Sequence, residues 1–320
     1  MTAAASVVVP VWNGRRWLPG LLASLRAQTA PPLEIVAVDN GSADGSREWL
    51  AEHAPEVRVL ALAHNTGFAF AANRGIEAAR GEAVALVNTD VELEPEWLER
   101  ALAALGDGIA AVATKMVALA DPEMLDDAGD VLRRDGVCEQ RGRFRRDDGR
   151  WDEPGEVFAA CAGAAVYRRA AVLAAGGFDE RFFSYLEDAE LGLRLRLAGW
   201  RCAWEPRAVA RHAGGGSADQ LARPVAAWAQ RNTLLLVARH FPARWLPLVA
   251  YRQAAWAWHA ARGGGLRAWA SGTAGALPLV PAMLRERRAL RRGAVVAIDR
   301  AVPARPWRGP AAGGHRRSPA

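Results

Sequence analysis

The first ninety residues alternate short β-branched runs with segments of helical spacing. Each run is short enough for a buried strand and is bounded by turn or cap residues. The four runs are Ser6–Val11, Glu34–Asp39, Val57–Ala61 and Val84–Asp90. Strands and helices in this order predict a parallel sheet with right-handed crossovers and helices on its faces. The predicted fold class is therefore α/β.

Two of these runs end in carboxylates, Asp39 and Asp90. Ligands of open α/β sheets bind outside the carboxyl ends of the strands, so both side chains are expected at a ligand-binding edge. The alternative for Asp90 is a turn or helix cap before Glu94–Glu96. The sequence lacks G-x-G-x-x-G after the first strand and has no Walker motif, which argues against a dinucleotide site or P-loop.

Four motifs, taken in order, resemble the nucleotide-sugar-binding half of family 2 glycosyltransferases with a GT-A fold. They are Val9–Asn13, Val38–Ser46, Asn65–Gly75 and Leu86–Asp90. The resemblance is strongest to the rhamnosyltransferase-like branch and runs from about Ser6 to His240. It implies a mixed, mainly parallel, Rossmann-like sheet flanked by helices, with a glycosyltransferase domain over residues 1–240.

The resemblance also implies roles for the matching residues around a nucleoside-diphosphate sugar. Asp39 matches the carboxylate that hydrogen-bonds the base of the donor. Asp90 matches the last carboxylate of the Asp-x-Asp metal motif, and Asn88 replaces the first. The whole implied donor-binding set is Pro10, Val11, Asn13, Asp39, Asn65, Asn73, Asn88 and Thr89.

A divalent cation, Mg²⁺ or Mn²⁺, is the implied cofactor. A hard cation held by one or two carboxylates and the substrate phosphates stabilises the charge on a leaving diphosphate. Asp90 is the implied carboxylate ligand. His212 matches a family histidine that ligates the metal or the diphosphate, and it precedes glycines that allow close approach to phosphate.

Glu187 and Asp188 begin a helix whose first turn is acidic. Acids favour a helix N-terminus through the helix dipole, which is the structural interpretation of this cluster. The pair also matches the Glu-Asp motif of the family, in which the aspartate deprotonates the acceptor hydroxyl. The resemblance thus implies an inverting transfer with Asp188, supported by Glu187, as the catalytic base.

The middle of the chain is polar and less informative. Residues 121–152 contain the basic run Arg141–Arg146, which is interpreted as a binding loop or, as the sequence favours, as an ordinary solvated excursion. The segment is expected to be mobile and, if it has a function, to order over the donor. Cys161 is expected to be a core thiol and not a nucleophile, because no histidine shares its motif. Three scattered cysteines indicate a reducing compartment.

Charge is distributed unevenly along the chain. Residues 211–320 carry 18 Lys+Arg and 3 Asp+Glu, whereas residues 1–210 carry 23 and 32. A basic C-terminal part on an acidic body indicates an anionic partner. Residues 241–302 combine Trp and Arg on amphipathic segments, which indicates either attachment to the anionic inner face of a membrane or helices packed on the body. Residues 303–320 are predicted to be a disordered basic tail.

Neither a signal peptide nor a run of apolar residues long enough to span a bilayer is recognisable, so a cytoplasmic protein, peripheral on the inner face of the membrane, is expected.

The resemblance implies transfer of rhamnose from dTDP-rhamnose to a hydroxyl of a cell-surface glycan or lipid-linked acceptor. The alternative donors are UDP-hexose and UDP-galactofuranose. A non-enzymatic alternative is a degenerate binding module whose Arg-rich tail contacts nucleic acid. The presence of Asp39, Asp90 and Asp188 argues against it.

Overall fold

The structure is a computed structural model that describes residues 4–214 and 225–304. The strands are β1 Ala5–Val11, β2 Glu34–Asp39, β3 Arg58–Ala61, β4 Ala83–Val87, β5 Val91–Leu93, β6 Ile109–Ala118, β7 Met124–Asp127, β8 Asp130–Leu132, β9 Cys138–Gln140, β10 Arg145–Arg146, β11 Gly155–Val157, β12 Ala164–Arg168 and β13 Arg201–His212. The α-helices are α1 Leu18–Arg26, α2 Ser46–His53, α3 Phe68–Ala78, α4 Trp97–Ala103, α5 Arg169–Ala174, α6 Glu187–Leu197, α7 Val225–His240, α8 Leu246–Arg262, α9 Leu266–Ala276, α10 Val280–Gly293 and α11 Ile298–Ala301.

The central sheet is mixed, with strand order β10-β7-β6-β12-β4-β1-β2-β3. Strands β4, β1, β2 and β3 are parallel to one another. Strand β12 is antiparallel to both β4 and β6, and β13 is parallel to β6. The predicted α/β class is confirmed, and the parallel half places the ends of β1, β2 and β4 at one edge.

Helices cover both faces of the sheet because alternate residues of each strand face opposite sides. On one face, Val7 and Val9 belong to an apolar cluster with α1 and α4, which contribute Leu22 and Trp97 respectively. On the other face, Val8 packs with α3 and α6, which contribute Ile76 and other apolar side chains. The strands read as continuous apolar runs because both faces are buried.

The 121–152 segment is not the solvated excursion that the sequence favours. It contains β7 to β10, and β7 pairs with β6 at the end of the central sheet. Leu125, Val131 and Leu132 are buried, and so are several of its charged side chains. The segment is therefore an ordered part of the fold, fixed by pairing with distant strands.

A third apolar cluster joins the C-terminal helices to the body. Phe158 and Phe182 of the body pack with Phe241 and Met283 in this cluster. The core is thus continuous across residue 240, and the predicted division into domains there stays a prediction. Residues 305–320, most of the predicted disordered tail, lie outside the described residues. Among the described residues, no helix is both long and apolar enough to cross a membrane.

Candidate active site

A cavity of about 680 Å³ opens where β1 and β4 end. Trp12, directly after β1, and Asn88, directly after β4, lie on one side of it. The 121–152 segment forms a second wall through Asp130 and Gln140 among others. The segment before α6 and the N-terminus of α7 complete the lining. The cavity therefore occupies the edge at which parallel-sheet proteins bind their ligands.

Five of the predicted donor-binding residues line this cavity. They are Pro10, Val11, Asn65, Asn88 and Thr89. The backbone N–H of Asn88 donates to the carbonyl oxygen of Gly163 at 2.8 Å, which fixes the end of β4 against the start of β12. These residues are brought together from three separate stretches of the chain by the parallel strand order.

Three predicted donor-binding residues do not line the cavity. The Asn13 Oδ1 atom accepts from the Ala43 N–H at 2.8 Å, and Asp39 Oδ1 accepts from the Ser42 N–H at 3.2 Å. Asn73 hydrogen-bonds both the N–H and the carbonyl of Phe178, and so ties α3 to that loop. In the structure, all three side chains hold loops that border the cavity.

Asn40 has a role that the sequence does not assign. It lines the cavity, and its Nδ2 donates to Asn65 Oδ1 and to the Gly67 carbonyl, each at 3.1 Å. Its Oδ1 accepts from the backbone N–H of Thr66 at 2.9 Å. One amide side chain thus shapes the loop that presents Asn65 to the cavity.

His212 lies between two carboxylates, Asp90 and Asp126, beside the cavity. Pairing of β5 with β13 sets His212 opposite Val91, directly after Asp90. The His212 Nε2 atom is 3.3 Å from Asp90 Oδ2, and His212 Nδ1 is 2.7 Å from Asp126 Oδ2. Arg143 Nε is 3.5 Å from the other oxygen of Asp126. The charges therefore alternate along a chain from Arg143 to Asp90.

This arrangement shifts the pKa values of its members. Burial by itself would lower the pKa of His212, but the hydrogen bonds to Asp126 and Asp90 outweigh it and raise the pKa to about 10. Burial would raise the pKa of Asp126, but the contacts with His212 and Arg143 lower it overall. Without a metal, the imidazole is thus a cation between two carboxylates.

The donor set fits a divalent cation that the substrate helps to hold. Asp90 and the Nε2 atom of His212 face the same point, while Nδ1 is oriented by Asp126, as is usual for metal-bound histidines. Within residues 4–214 and 225–304, no cluster of three or more His, Cys, Asp or Glu side chains could hold a metal alone. Two protein ligands completed by phosphate oxygens are the arrangement typical of Mg²⁺ with nucleotides.

Asp188 lines the same cavity from a separate element, the first turn of α6. Its Oδ2 accepts from the Ala162 N–H at 3.2 Å. Burial raises the pKa of Asp188, although backbone hydrogen bonds from Ala162 and Ala189 oppose the shift. Asp188 and the Asp90–His212 pair therefore face one cavity from different walls.

Glu187 and Cys161 flank this carboxylate. Glu187 is 5% exposed, and its Oε2 has no hydrogen-bond partner among the described residues. Burial and the charge of Asp188 raise its pKa well above the usual value. Burial also raises the pKa of the Cys161 thiol, so it stays protonated at neutral pH. Cys161 lines the cavity, where its thiol hydrogen-bonds the Asp188 carboxyl, and the expectation that it is not a nucleophile stays a prediction.

A strained loop precedes Glu187. Phe183, Tyr185 and Leu186 have φ angles of 64°, 72° and 66°, in a region that side chains other than glycine rarely adopt. Asn232 of α7 is fully buried, and its Nδ2 lies within hydrogen-bond distance of three carbonyl oxygens, those of Phe182, Ser184 and Tyr185, at 2.7–2.9 Å. Asn232 therefore holds the backbone of this loop in place.

The loop before α6 also contacts the nucleotide side of the cavity. The Phe183 carbonyl accepts from the Ala69 N–H at 3.1 Å, and the Phe183 ring stacks on Trp228 with centroids 4.7 Å apart. Gly67 has a φ of 91°, and a Cβ atom there would lie 2.5 Å from the Phe183 ring. Both the backbone angle and the contact with Phe183 therefore exclude a side chain at position 67.

Sequence reasoning missed the cavity residues of the 121–152 segment, chiefly Asp126, Asp130, Gln140 and Arg143. The signal for them was weak. Apolar residues flank the acidic stretch Asp126–Asp130, with Leu125 before it and Val131 and Leu132 after it. Such a pattern is typical of short buried strands.

Comparison with known proteins gives a consistent result. The family model described as Glycosyl transferase family 2 matches residues 6–173. The chain is 31% identical to N-acetylglucosaminyl-diphospho-decaprenol L-rhamnosyltransferase of Mycobacterium tuberculosis over 282 residues, which span 77% of this chain and 89% of that protein. It is 33% identical to the pre-mycofactocin glycosyltransferase of the same organism over 214 residues, or 65% of this chain and 42% of that protein.

Solved structures share the fold at low identity. The structure of GalNAc-T7 with UDP, GalNAc and Mn²⁺ superposes with a TM-score of 0.62 at 17% identity, covering 75% of this chain and 48% of that one. The mannosyltransferase PcManGT of Pyrobaculum calidifontis, in complex with GDP-Man and Mn²⁺, gives 0.51 at 19% identity, covering 91% and 85%. Both support the GT-A fold that the motifs indicated.

Loss of Asp126 is expected to weaken metal binding without contact between Asp126 and the metal. Asp126→Ala removes the group that orients His212, and such changes typically cost about 10–100-fold in metal affinity. Mn²⁺ affinity in the presence of nucleotide, measured by calorimetry, checks this. Glu123→Ala removes an exposed acid of the same segment and serves as the control. Equal Mn²⁺ affinity in the Asp126 variant and the wild type would contradict the role.

Proposed function

Because the chain belongs to glycosyl transferase family 2, we propose that it is an inverting, metal-dependent glycosyltransferase that moves a sugar from a nucleoside diphosphate to an acceptor hydroxyl. One observation carries the proposal: the Asp90–His212 pair and Asp188 line a single cavity from different walls. An inverting transfer needs a leaving-group site and a base on opposite sides of the sugar.

Asp90 and His212 would act on the leaving diphosphate, and Asp188 would act on the acceptor hydroxyl. Asp90 and His212 would hold the divalent cation, which when bound offsets the charge that develops on the diphosphate. Asp188 takes the proton from the acceptor hydroxyl at its Oδ1 or Oδ2 atom as the hydroxyl attacks the sugar. A carboxylate whose pKa is raised by burial is a better base near neutral pH than an exposed one. Cys161 and Glu187 exclude water beside it.

The proposed donor is dTDP-rhamnose and the proposed acceptor is a lipid-linked or polymeric glycan of the cell surface. The support is the 31% identity to a relative that is named as an L-rhamnosyltransferase acting on N-acetylglucosaminyl-diphospho-decaprenol. UDP-hexose and UDP-galactofuranose are the alternative donors, since the same fold holds UDP in GalNAc-T7.

The nucleotide is expected to be distinguished by direct titration. With Mn²⁺ or Mg²⁺ present, dTDP should bind more tightly than UDP if the donor is dTDP-rhamnose, and about tenfold would correspond to one good base contact. Isothermal titration of both nucleotides is the measurement. Tighter binding of UDP would replace the donor by a UDP-sugar, and binding of neither would overturn the assignment of the donor site.

Substitution of the base is expected to separate binding from chemistry. Asp188→Asn keeps the size of the side chain, so nucleotide affinity should stay within error, while the rate of sugar transfer falls about 10²–10⁴-fold. Glu139→Gln, at another acid of the cavity wall, is the control and should retain most of its activity. Turnover of the Asp188→Asn enzyme at the wild-type rate would remove Asp188 from the mechanism.

We also propose that the protein is cytoplasmic and docks peripherally on an anionic membrane through α8 and α9. Residues 246–276 contain no Asp or Glu but include three arginines. Tyr251 and Trp258 are 75% and 61% exposed, and Leu248 and Leu266 are about half exposed. Exposed aromatic and aliphatic side chains beside arginines suit the interface of an anionic bilayer. Such docking would bring the cavity to a lipid-linked acceptor.

Vesicle flotation is expected to report this docking. Wild-type protein should float with phosphatidylglycerol-containing vesicles. The double variant Tyr251→Ser with Trp258→Ser should partition to the vesicles at least about tenfold less, because it lacks the two aromatic side chains that would be buried in the bilayer interface. Leu33→Ser with Leu173→Ser removes exposed apolar side chains elsewhere and is the matched control. Flotation unchanged by the aromatic substitutions, or a shift of nucleic acid without flotation, would contradict the docking surface.

A further inference from the structure

The 121–152 segment forms the wall of the cavity next to the proposed base. Its Gln140 Nε2 atom donates to Cys161 Sγ at 3.6 Å, and the backbone of the adjacent Ala162 donates to Asp188. The residues that line the nucleotide end, such as Val11 and Asn65, come from β1 and the loop before α3. Asp126 and Arg143 of the segment lie at His212, whereas Asp130 is close enough to Asp188 and Glu187 for their charges to shift its pKa, so Asp130 lies on the Asp188 side of the cavity.

Asp130 is the unusual side chain of this wall. It is only 4% exposed and lines the cavity, yet no described residue hydrogen-bonds its carboxyl oxygens. Its main chain, in contrast, is fixed on both sides: the N–H donates to Ala159 at 3.1 Å and the carbonyl accepts from Phe158 at 3.3 Å. Its carboxyl oxygens are not fully enclosed by protein, so they are accessible from the cavity and available to a ligand there.

The surroundings of Asp130 select the kind of ligand. Burial raises its pKa well above the usual value, and the nearby charges of Asp127, Asp188 and Glu187 raise it further, while Arg141 opposes them. Three carboxyl groups against one guanidinium make the surroundings unfavourable to an anionic ligand. A sugar hydroxyl suits either state of the carboxyl, because it donates to a carboxylate and accepts from a carboxylic acid.

We propose that Asp130 binds a hydroxyl of the acceptor sugar and thereby orients the reacting hydroxyl toward Asp188. The subsite takes an uncharged, hydroxyl-rich ring and excludes anionic sugars. This inference rests on the proposed function, since it identifies the acceptor side of the same cavity. Asp130 would then be a determinant of acceptor specificity, and the cost of burying it unpaired is recovered when the sugar is bound.

Binding of simple sugars to the full chain tests the subsite without turnover. The probes are methyl glycosides of glucose, galactose, mannose, rhamnose and N-acetylglucosamine, observed by saturation-transfer NMR with dTDP and diamagnetic Mg²⁺ present. At least one should bind the wild type, and methyl glucuronide should not. Asp130→Ala should weaken binding about tenfold or more, the effect of one hydrogen bond to a carboxyl group.

Three further variants separate a binding role from a structural one. Asp130→Asn retains an acceptor oxygen and should keep most of the affinity. Asp130→Leu keeps the branched shape of the side chain, although leucine is larger, and should fold with a Tm near or above that of the wild type, because it removes a polar group without a protein partner, yet lose the sugar. Asp127→Asn is the matched control, since Asp127 lies in the same acidic cluster but does not line the cavity.

The outcomes are distinguishable. Wild-type sugar affinity in both Asp130→Ala and Asp130→Leu, or no binding of any neutral glycoside to the wild type, would overturn the acceptor subsite. Failure of dTDP and UDP to bind, read in the separate nucleotide titration, would instead overturn the proposed function.

Discussion

The hydrogen bonds between Asn232 and the loop before α6 are the constraint on which the base side of the cavity depends. Three residues of that loop have left-handed backbone angles, each of which costs about 1–3 kcal/mol unless the surroundings enforce it. Asn232 satisfies the carbonyls that this conformation turns inward, and Arg231 adds a bond to the Arg181 carbonyl at 2.7 Å. Because Asp188 follows directly, its position is set by α7. The third apolar cluster, which joins α7 to the C-terminal helices, therefore contributes to the site as well as to stability.

The parallel half of the sheet and the loops that follow its strands at the cavity could be predicted from the sequence, because they are local. Apolar runs such as Val7–Val11 and Ala83–Val87 report their own burial, and the residues directly after them must lie at the sheet edge. The 121–152 segment could not be predicted in the same way. Its strands are short and polar, and they exist because β7 pairs with β6 and Asp130 pairs with Ala159. Burial of Asp126 likewise depends on His212, which lies 86 residues away.

Motif matching located the right loops but did not distinguish the side chains that face a ligand from those that shape the loop. Asn65 and Asn73 belong to one motif, yet Asn65 lines the cavity while Asn73 holds Phe178. Asn40, adjacent to Asp39 in the sequence, contacts both the cavity and the Asn65 loop. An amide can serve either purpose, because it donates and accepts with similar geometry to backbone groups. Only the three-dimensional contacts separate the two roles.

The contact between Gly67 and Phe183 links the loop before α3 to the loop before α6. A Cβ atom at position 67 would lie 2.5 Å from the Phe183 ring, so the two loops meet there without room for a side chain. The Ala69 N–H and the Asn73 side chain make further hydrogen bonds between the same two regions. In terms of sequence variation, position 67 is restricted twice, by its own φ of 91° and by Phe183, so a smaller residue at position 183 would relieve only the second restriction.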